Sequence, residues 1–144
     1  MLKVLRFVAS VILGLIVGSV VNMGLIMIGP MLIPPPPGGD ITTMEGLKAT
    51  MHLFEPQHFI FPFLAHALGT VTGALLARLL APGKSTVPSY VVGALFLVGG
   101  ITNVMMLPAP MWFNVVDLVF AYLPAAWLGQ KLAGRQAPPV PNAA

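Results

Sequence analysis

The sequence predicts an all-α integral membrane protein, a four-helix transmembrane bundle. Three observations predict it. Of 144 residues, 57% are hydrophobic and only 8% are charged, against roughly a quarter charged in ordinary soluble domains. The mean hydropathy is +0.91. The apolar residues also fall into four runs separated by proline- and glycine-rich breaks. Each run approaches the roughly 20 residues that a helix rising about 1.5 Å per residue needs to cross about 30 Å of hydrocarbon. Together these exclude a soluble globular domain and a disordered chain. The absence of cysteine excludes a disulfide scaffold, thiolate catalysis, zinc–thiolate sites and iron–sulfur clusters.

The first span is expected over 5–28, because no charged residue stands between Arg6 and Asp40. Gly29-Pro30 should end it, and the proline run at 34–37 cannot continue a helix. The run is too long for a signal-peptide core and lacks a small-x-small cleavage site before the prolines, which makes it a retained anchor. The second span is expected over 59–80, stopped by Ala81-Pro82-Gly83. The third is expected over 89–107, bounded by Pro88 and Pro108. The fourth is expected over 111–132, after Pro110, with Asp117 as its interior charge. The tail 134–144, rich in Pro and Ala, is expected to be disordered and cytoplasmic. Residues 1–133 then make one transmembrane domain.

Positive charge orients the bundle. Lys3, Arg6, Arg78, Lys84, Lys131 and Arg135 would share one face, while Lys48 stands alone on the other beside Asp40, Glu45 and Glu55. This asymmetry predicts both termini inside and the 34–58 segment outside. The pI of 9.7 comes from these scattered residues and from no basic patch, so the expected partner is the lipid bilayer and not nucleic acid. Trp112 and Trp127, 15 positions apart or about 22 Å of helix, suit two interfacial aromatic belts.

The external segment carries a helix signature. Thr42 as N-cap with Glu45 three residues on fits a capping box. Met44, Leu47, Met51 and Phe54 then share one helical face, and Glu45, Lys48, His52 and Glu55 the other. A short amphipathic helix on the outer surface follows, acting as a lid on the bundle or as a gate or docking surface.

Small residues, which let helices approach closely in lipid, line one face of each span, at steps of four in all but the third. Ser10, Gly14, Gly18 and Asn22 mark the first span; Ala65, Gly69, Gly73 and Ala77 mark the second. Gly93, Gly100 and Asn103 mark the third; Ala121, Ala125 and Gly129 mark the fourth. These stripes predict close packing and assign no function.

Polar groups inside spans are few, and such groups usually face the bundle interior. Asn22, His66, Asn103 and Asp117 supply one strong hydrogen-bonding group per span, with Thr70 a turn after His66 and Asn114 a turn before Asp117. By their distance from the span ends, all four lie roughly 6–11 Å below the outer boundary. His66 and Asp117 form the natural pair, since an isolated carboxylate in low dielectric would neutralise without a partner. Asn22 and Asn103 are placed to satisfy its remaining lone pairs. The layer is read either as glue that fixes helix register or as a binding or proton-exchange site open to the outside. Below Thr70 and Thr72 no polar group precedes Arg78, which weighs against a continuous channel through one protomer.

Other chemistry is weakly supported. His52, Glu55 and His58 have ligand-like side chains, but Pro56 interrupts them and no metal geometry follows. His66 has no partner for bis-histidine haem ligation, and no cofactor is expected. No G-x-S-x-G, Walker A or dinucleotide fingerprint occurs, so no enzyme is expected.

The run 58–70, His-Phe-Ile-Phe-Pro-Phe-Leu-Ala-His-Ala-Leu-Gly-Thr, resembles that of a group of small four-span bacterial membrane proteins. Val21-Asn22-Met23-Gly24 and Trp112-Phe113-x-x-x-Asp117-Leu118 are similar to the same group. The resemblance implies a four-span bacterial protein and no activity, and the expected location is the bacterial inner membrane, as a multi-pass protein. The first-span glutamate of the small multidrug exporters and the glycine-arginine signature of the small fluoride channels are absent. Two functional readings follow. One is a non-enzymatic accessory or assembly subunit, in a homo-oligomer or a larger membrane complex. The other is a small-solute or proton-linked transporter or channel that uses the His66–Asp117 pair.

Overall fold

The computed structural model describes residues 1–135. They form α1 (Leu2–Leu32), α2 (Met44–Thr50), α3 (Ile60–Leu80), α4 (Val87–Met106), α5 (Met111–Phe120) and α6 (Leu123–Arg135). Short 3-10 turns lie at Met51–Leu53, Pro56–Phe59 and Pro82–Lys84, and the described residues contain no strand. Four helical segments are long and apolar enough to cross a membrane: Leu2–Leu32, Pro56–Leu80, Val87–Met106 and Met111–Gly134. The expected tail lies outside the described residues from position 136 on. Its first two residues, Gly134 and Arg135, belong to α6 instead.

The first span corrects one expectation. Gly29-Pro30 does not end α1, which runs through Pro30 to Leu32. Proline forfeits only its own N–H bond, and the Ile33 N–H closes the last turn on the Gly29 carbonyl at 2.8 Å. Gly29 is buried against Phe61 of α3, where a Cβ would come within 2.7 Å of the Phe61 Cβ. Packing across the helix pair therefore overrides the local breaker.

Burial is inverted relative to a water-soluble bundle. Large apolar side chains point outward, with Val20 67% and Met27 68% exposed, while small residues fill the centre. α3 is the central helix and packs against α1, α4 and α6. All four members of its stripe, Ala65, Gly69, Gly73 and Ala77, are buried. Gly14 faces Gly73 and Gly18 faces Gly69, so α1 and α3 run antiparallel with their backbones in contact. A Cβ on Gly14 would stand 2.6 Å from the Gly73 carbonyl oxygen, a distance no side chain tolerates. Ser89 ties α4 to α3 by donating to the Ala74 carbonyl at 2.7 Å. Val11, Ala77 and Val92 form the core of this half, the half towards Arg6, Arg78 and Lys131.

The opposite end is built differently. The N-cap of α2 is Thr43, whose hydroxyl accepts from the Gly46 N–H at 2.9 Å, and not the expected Thr42. Asp40 has already engaged Thr42, accepting from its N–H at 2.8 Å and from its hydroxyl at 2.6 Å. Those two bonds hold the Asp40 carboxyl below its ordinary pKa. Glu45 therefore stands at the second helical position, and the capping box does not form. The amphipathic pattern holds with one departure. Met51 is buried with Phe59 and Phe113, and Leu47 and Phe54 pack on them, but Met44 is exposed. Glu45, Lys48, His52 and Glu55 all point away. α2 and the turn after it thus cover the end of the bundle like a lid.

Candidate binding site at the polar layer

α3 and α5 bring the expected pair together. His66 Nδ1 lies 2.8 Å from Asp117 Oδ1, and Asp117 is only 3% exposed. The other carboxylate oxygen, Oδ2, accepts from the Tyr122 hydroxyl at 2.8 Å. The Tyr122 ring also stacks on the His66 ring, with centroids 5.8 Å apart and planes 29° from parallel. The Asp117 carboxyl is thus bonded on both oxygens, to the imidazole through Oδ1 and to the phenol through Oδ2.

Tyr122 was not visible as a site residue in the sequence, because the fourth span was read there as one helix. In a continuous helix, residue 122 would lie about 140° around the axis from residue 117 and could not reach the same carboxylate. The span is broken instead. The Ala121 N–H closes α5 on the Asp117 carbonyl at 2.9 Å, and the Ala126 N–H opens α6 on the Tyr122 carbonyl at 2.8 Å. Pro124 lacks the N–H that would continue the ladder to Phe120. This proline, inside the fourth span, was the available clue. Discontinuous spanning helices commonly form binding sites where they break. Gly100 of α4 makes room for the phenol, since a Cβ there would collide with the Tyr122 ring.

The remaining layer residues take other roles. Asn22 and Asn103 do not complete the Asp117 carboxylate; Tyr122 does. Asn114 Nδ2 donates to the Ala109 carbonyl at 3.3 Å, and the Thr70 hydroxyl donates back to the His66 carbonyl at 2.7 Å. Asn22 Oδ1 is buried and has no hydrogen-bond partner among the described residues.

Two spaces meet at this layer. A cavity of about 540 Å³ opens below the α2 lid. Its walls include Met51, Phe59, Phe61, Leu107 and Phe113, and its polar lining includes His66, Asn103, Asn114 and Asp117. A second space of about 200 Å³ is lined by Asn22, His66, Phe96, Gly100, Asn103 and Tyr122, with Gly99. His66, Gly100 and Asn103 border both.

The weaker metal candidates do not converge. His58 Nδ1 accepts from the Glu55 N–H at 2.9 Å and so caps the turn Pro56–Phe59. Its ring lies edge-on to Phe54 at 5.5 Å. Among the described residues no group of three or more His, Cys, Asp or Glu side chains is arranged to hold a metal ion. What the polar layer offers is a fixed carboxyl, an oriented imidazole and one buried acceptor without a partner beside an apolar chamber, an arrangement suited to reversible binding. No protein-family model, no curated protein and no solved structure matches this chain, so its geometry alone carries the functional reading.

Proposed function

We propose that this chain is a non-enzymatic accessory protein of the bacterial inner membrane that holds a small ligand at the outer face. One observation carries the reading: the His66–Asp117 pair borders an open apolar cavity of about 540 Å³ and is not sealed between helices. That volume lies within the roughly 300–1,000 Å³ of small-molecule sites, which are mostly apolar with a few convergent polar groups. The charge asymmetry of the chain supports an outward-facing cavity. The closed half supports holding over conduction, because its hydroxyls are turned onto backbone carbonyls: Ser10 onto Phe7 and Ser89 onto Ala74.

A second reading, proton-linked transport, is favoured by one feature. His66 stands at the junction of the two spaces, where a proton or solute would pass. The absence of native cysteine makes a direct test simple. In intact cells, a membrane-impermeant maleimide is expected to label Lys48→Cys and Asn103→Cys, and to label Gly134→Cys only after permeabilisation. Labelling of Lys48→Cys without Asn103→Cys would remove the open pocket. In liposomes under an imposed potential, proton flux is expected to equal that of protein-free vesicles. Flux abolished by His66→Ala would replace the holding role with transport.

A further inference from the structure

We infer that the ligand class is an uncharged amphipathic molecule whose head donates a hydrogen bond, a phenol or alcohol on an apolar body, received by His66 Nε2 with Asn22 Oδ1 as a second acceptor. The inference rests on the binding role proposed above and deepens it. Asp117 accepts on both oxygens, from His66 Nδ1 and from Tyr122. On this assignment His66 donates from Nδ1 to the carboxylate and presents Nε2 as an acceptor, a protonation that the histidine spectra below read directly. Asn22 Oδ1 is a buried acceptor with no partner, on the wall of the same space that His66 borders. A buried polar atom without a partner forfeits roughly 1–3 kcal/mol, which a donor brought by a ligand restores. Above this layer the walls are aromatic and aliphatic, from Phe61, Phe113 and Leu107 up to Met51 of the lid. The buried atom left without a partner at the base is an acceptor and the walls above are apolar, so an apolar body with a donor head fits both. Asp117 is here a positioning residue: it acts on the ligand only through the tautomer of His66.

That role gives the test its second arm. In Asp117→Asn, the amide oxygen still accepts from Tyr122, while the amide N–H₂ faces Nδ1. His66 then moves its proton to Nε2, and the cavity meets a donor in place of an acceptor. The probes are 2-naphthol and 2-methoxynaphthalene, which share one apolar body and differ in the donor. Binding is measured to the full-length protein in lipid nanodiscs against empty nanodiscs, with ¹⁵N-histidine spectra reporting His66. In the wild type, 2-naphthol is expected to bind saturably and about tenfold tighter than its methyl ether, the worth of one good hydrogen bond, and to shift the Nε2 resonance. In Asp117→Asn the preference is expected to vanish or invert, with the Nε2 resonance now that of a protonated nitrogen. Saturable binding of both probes with equal affinity would overturn the donor-head assignment and leave the pocket standing. No saturable binding of either, in a protein whose histidine spectrum is otherwise well dispersed, would overturn both.

Discussion

The two halves of the bundle solve opposite problems with the same helices. Towards Arg6, Arg78 and Lys131 the helices touch backbone to backbone, with Gly14 on Gly73 and Gly18 on Gly69. Towards the lid they are held apart by rings: Phe59 packs on Phe113 with centroids 4.7 Å apart, and on Trp112 at 5.6 Å. Lipid tails are as apolar as leucine, so association in a bilayer depends on close contact and hydrogen bonds rather than on burial. The glycine half supplies that contact and closes the bundle. The aromatic half can then stay splayed around a cavity without losing the fold. The difference teaches that the open site depends on a clamp some turns away, so the largest effects on it should come from residues that never touch it.

The clamp is the first thing to break. Gly14→Leu drives a branched side chain into the Gly73 carbonyl, and overpacking of that kind costs about 3 kcal/mol or more. The variant is expected to lose most of its folded population in a mixed-micelle unfolding titration. Gly24→Leu, on the same helix but with no atom within 4 Å of its Cβ position, is expected to stay within about 0.5 kcal/mol of wild type. Equal losses at the two positions would mean that the α1–α3 contact does not govern the fold, since leucine is the better helix former at both.

The polar layer comes next. Asp117→Ala strands the His66 N–H and the Tyr122 hydroxyl together. Removing one partner of a buried pair costs about 3–5 kcal/mol in water-soluble proteins, but single hydrogen bonds between membrane helices average only about 0.6 kcal/mol. A loss of about 2 kcal/mol is expected, against about 0.5 kcal/mol for Asp117→Asn, which keeps both contacts by exchanging the His66 tautomer. Tyr122→Phe removes one of the two bonds and should lie between them, near 1 kcal/mol. Denaturation midpoints in the order wild type, Asn, Phe, Ala would confirm that Tyr122 is part of the tie. Should Tyr122→Phe match wild type, the broken fourth span would have to be explained by Pro124 alone.

How much of this was legible in the sequence follows the range of the interactions. The four spans and their small-residue stripes repeat every three to four positions, and every member of the α3 stripe is buried. The His66–Asp117 contact, 51 positions apart in the chain, was legible because each span held one strong polar group at a similar depth. What escaped depended on partners in other elements. Gly29-Pro30 reads as a stop until Phe61 packs on it. Thr42 reads as a cap until Asp40 takes both of its donors. Tyr122 gives no signal while the fourth span is one continuous helix, until the break at Ala121 turns it onto Asp117. Asn22 and Asn103 were read as partners of the carboxylate from depth alone, and depth does not fix rotation about the helix axis.

The smallest expected effect lies in the lid, where Asp40 makes the loop sensitive to acid. Asp40 holds the lid's entry by accepting from Thr42 twice, and its own N–H donates to the Thr50 hydroxyl at 2.9 Å. Its carboxyl sits below the ordinary value of 3.8. A depressed carboxylate contributes stability that is complete above its unfolded pKa and is lost as the pH falls through the folded one. A nitroxide on Lys48→Cys is therefore expected to keep constant mobility from about pH 7 down to about pH 4 and to loosen only below that. In Asp40→Asn it should be looser at every pH and insensitive to acid. Because the lid packs through Met51 onto Phe59 and Phe113 and not through Asp40, the loosening should be confined to the loop. Mobility that rises already between about pH 7 and pH 5 would overturn the assignment to Asp40, because a carboxyl held below its ordinary value does not titrate in that range.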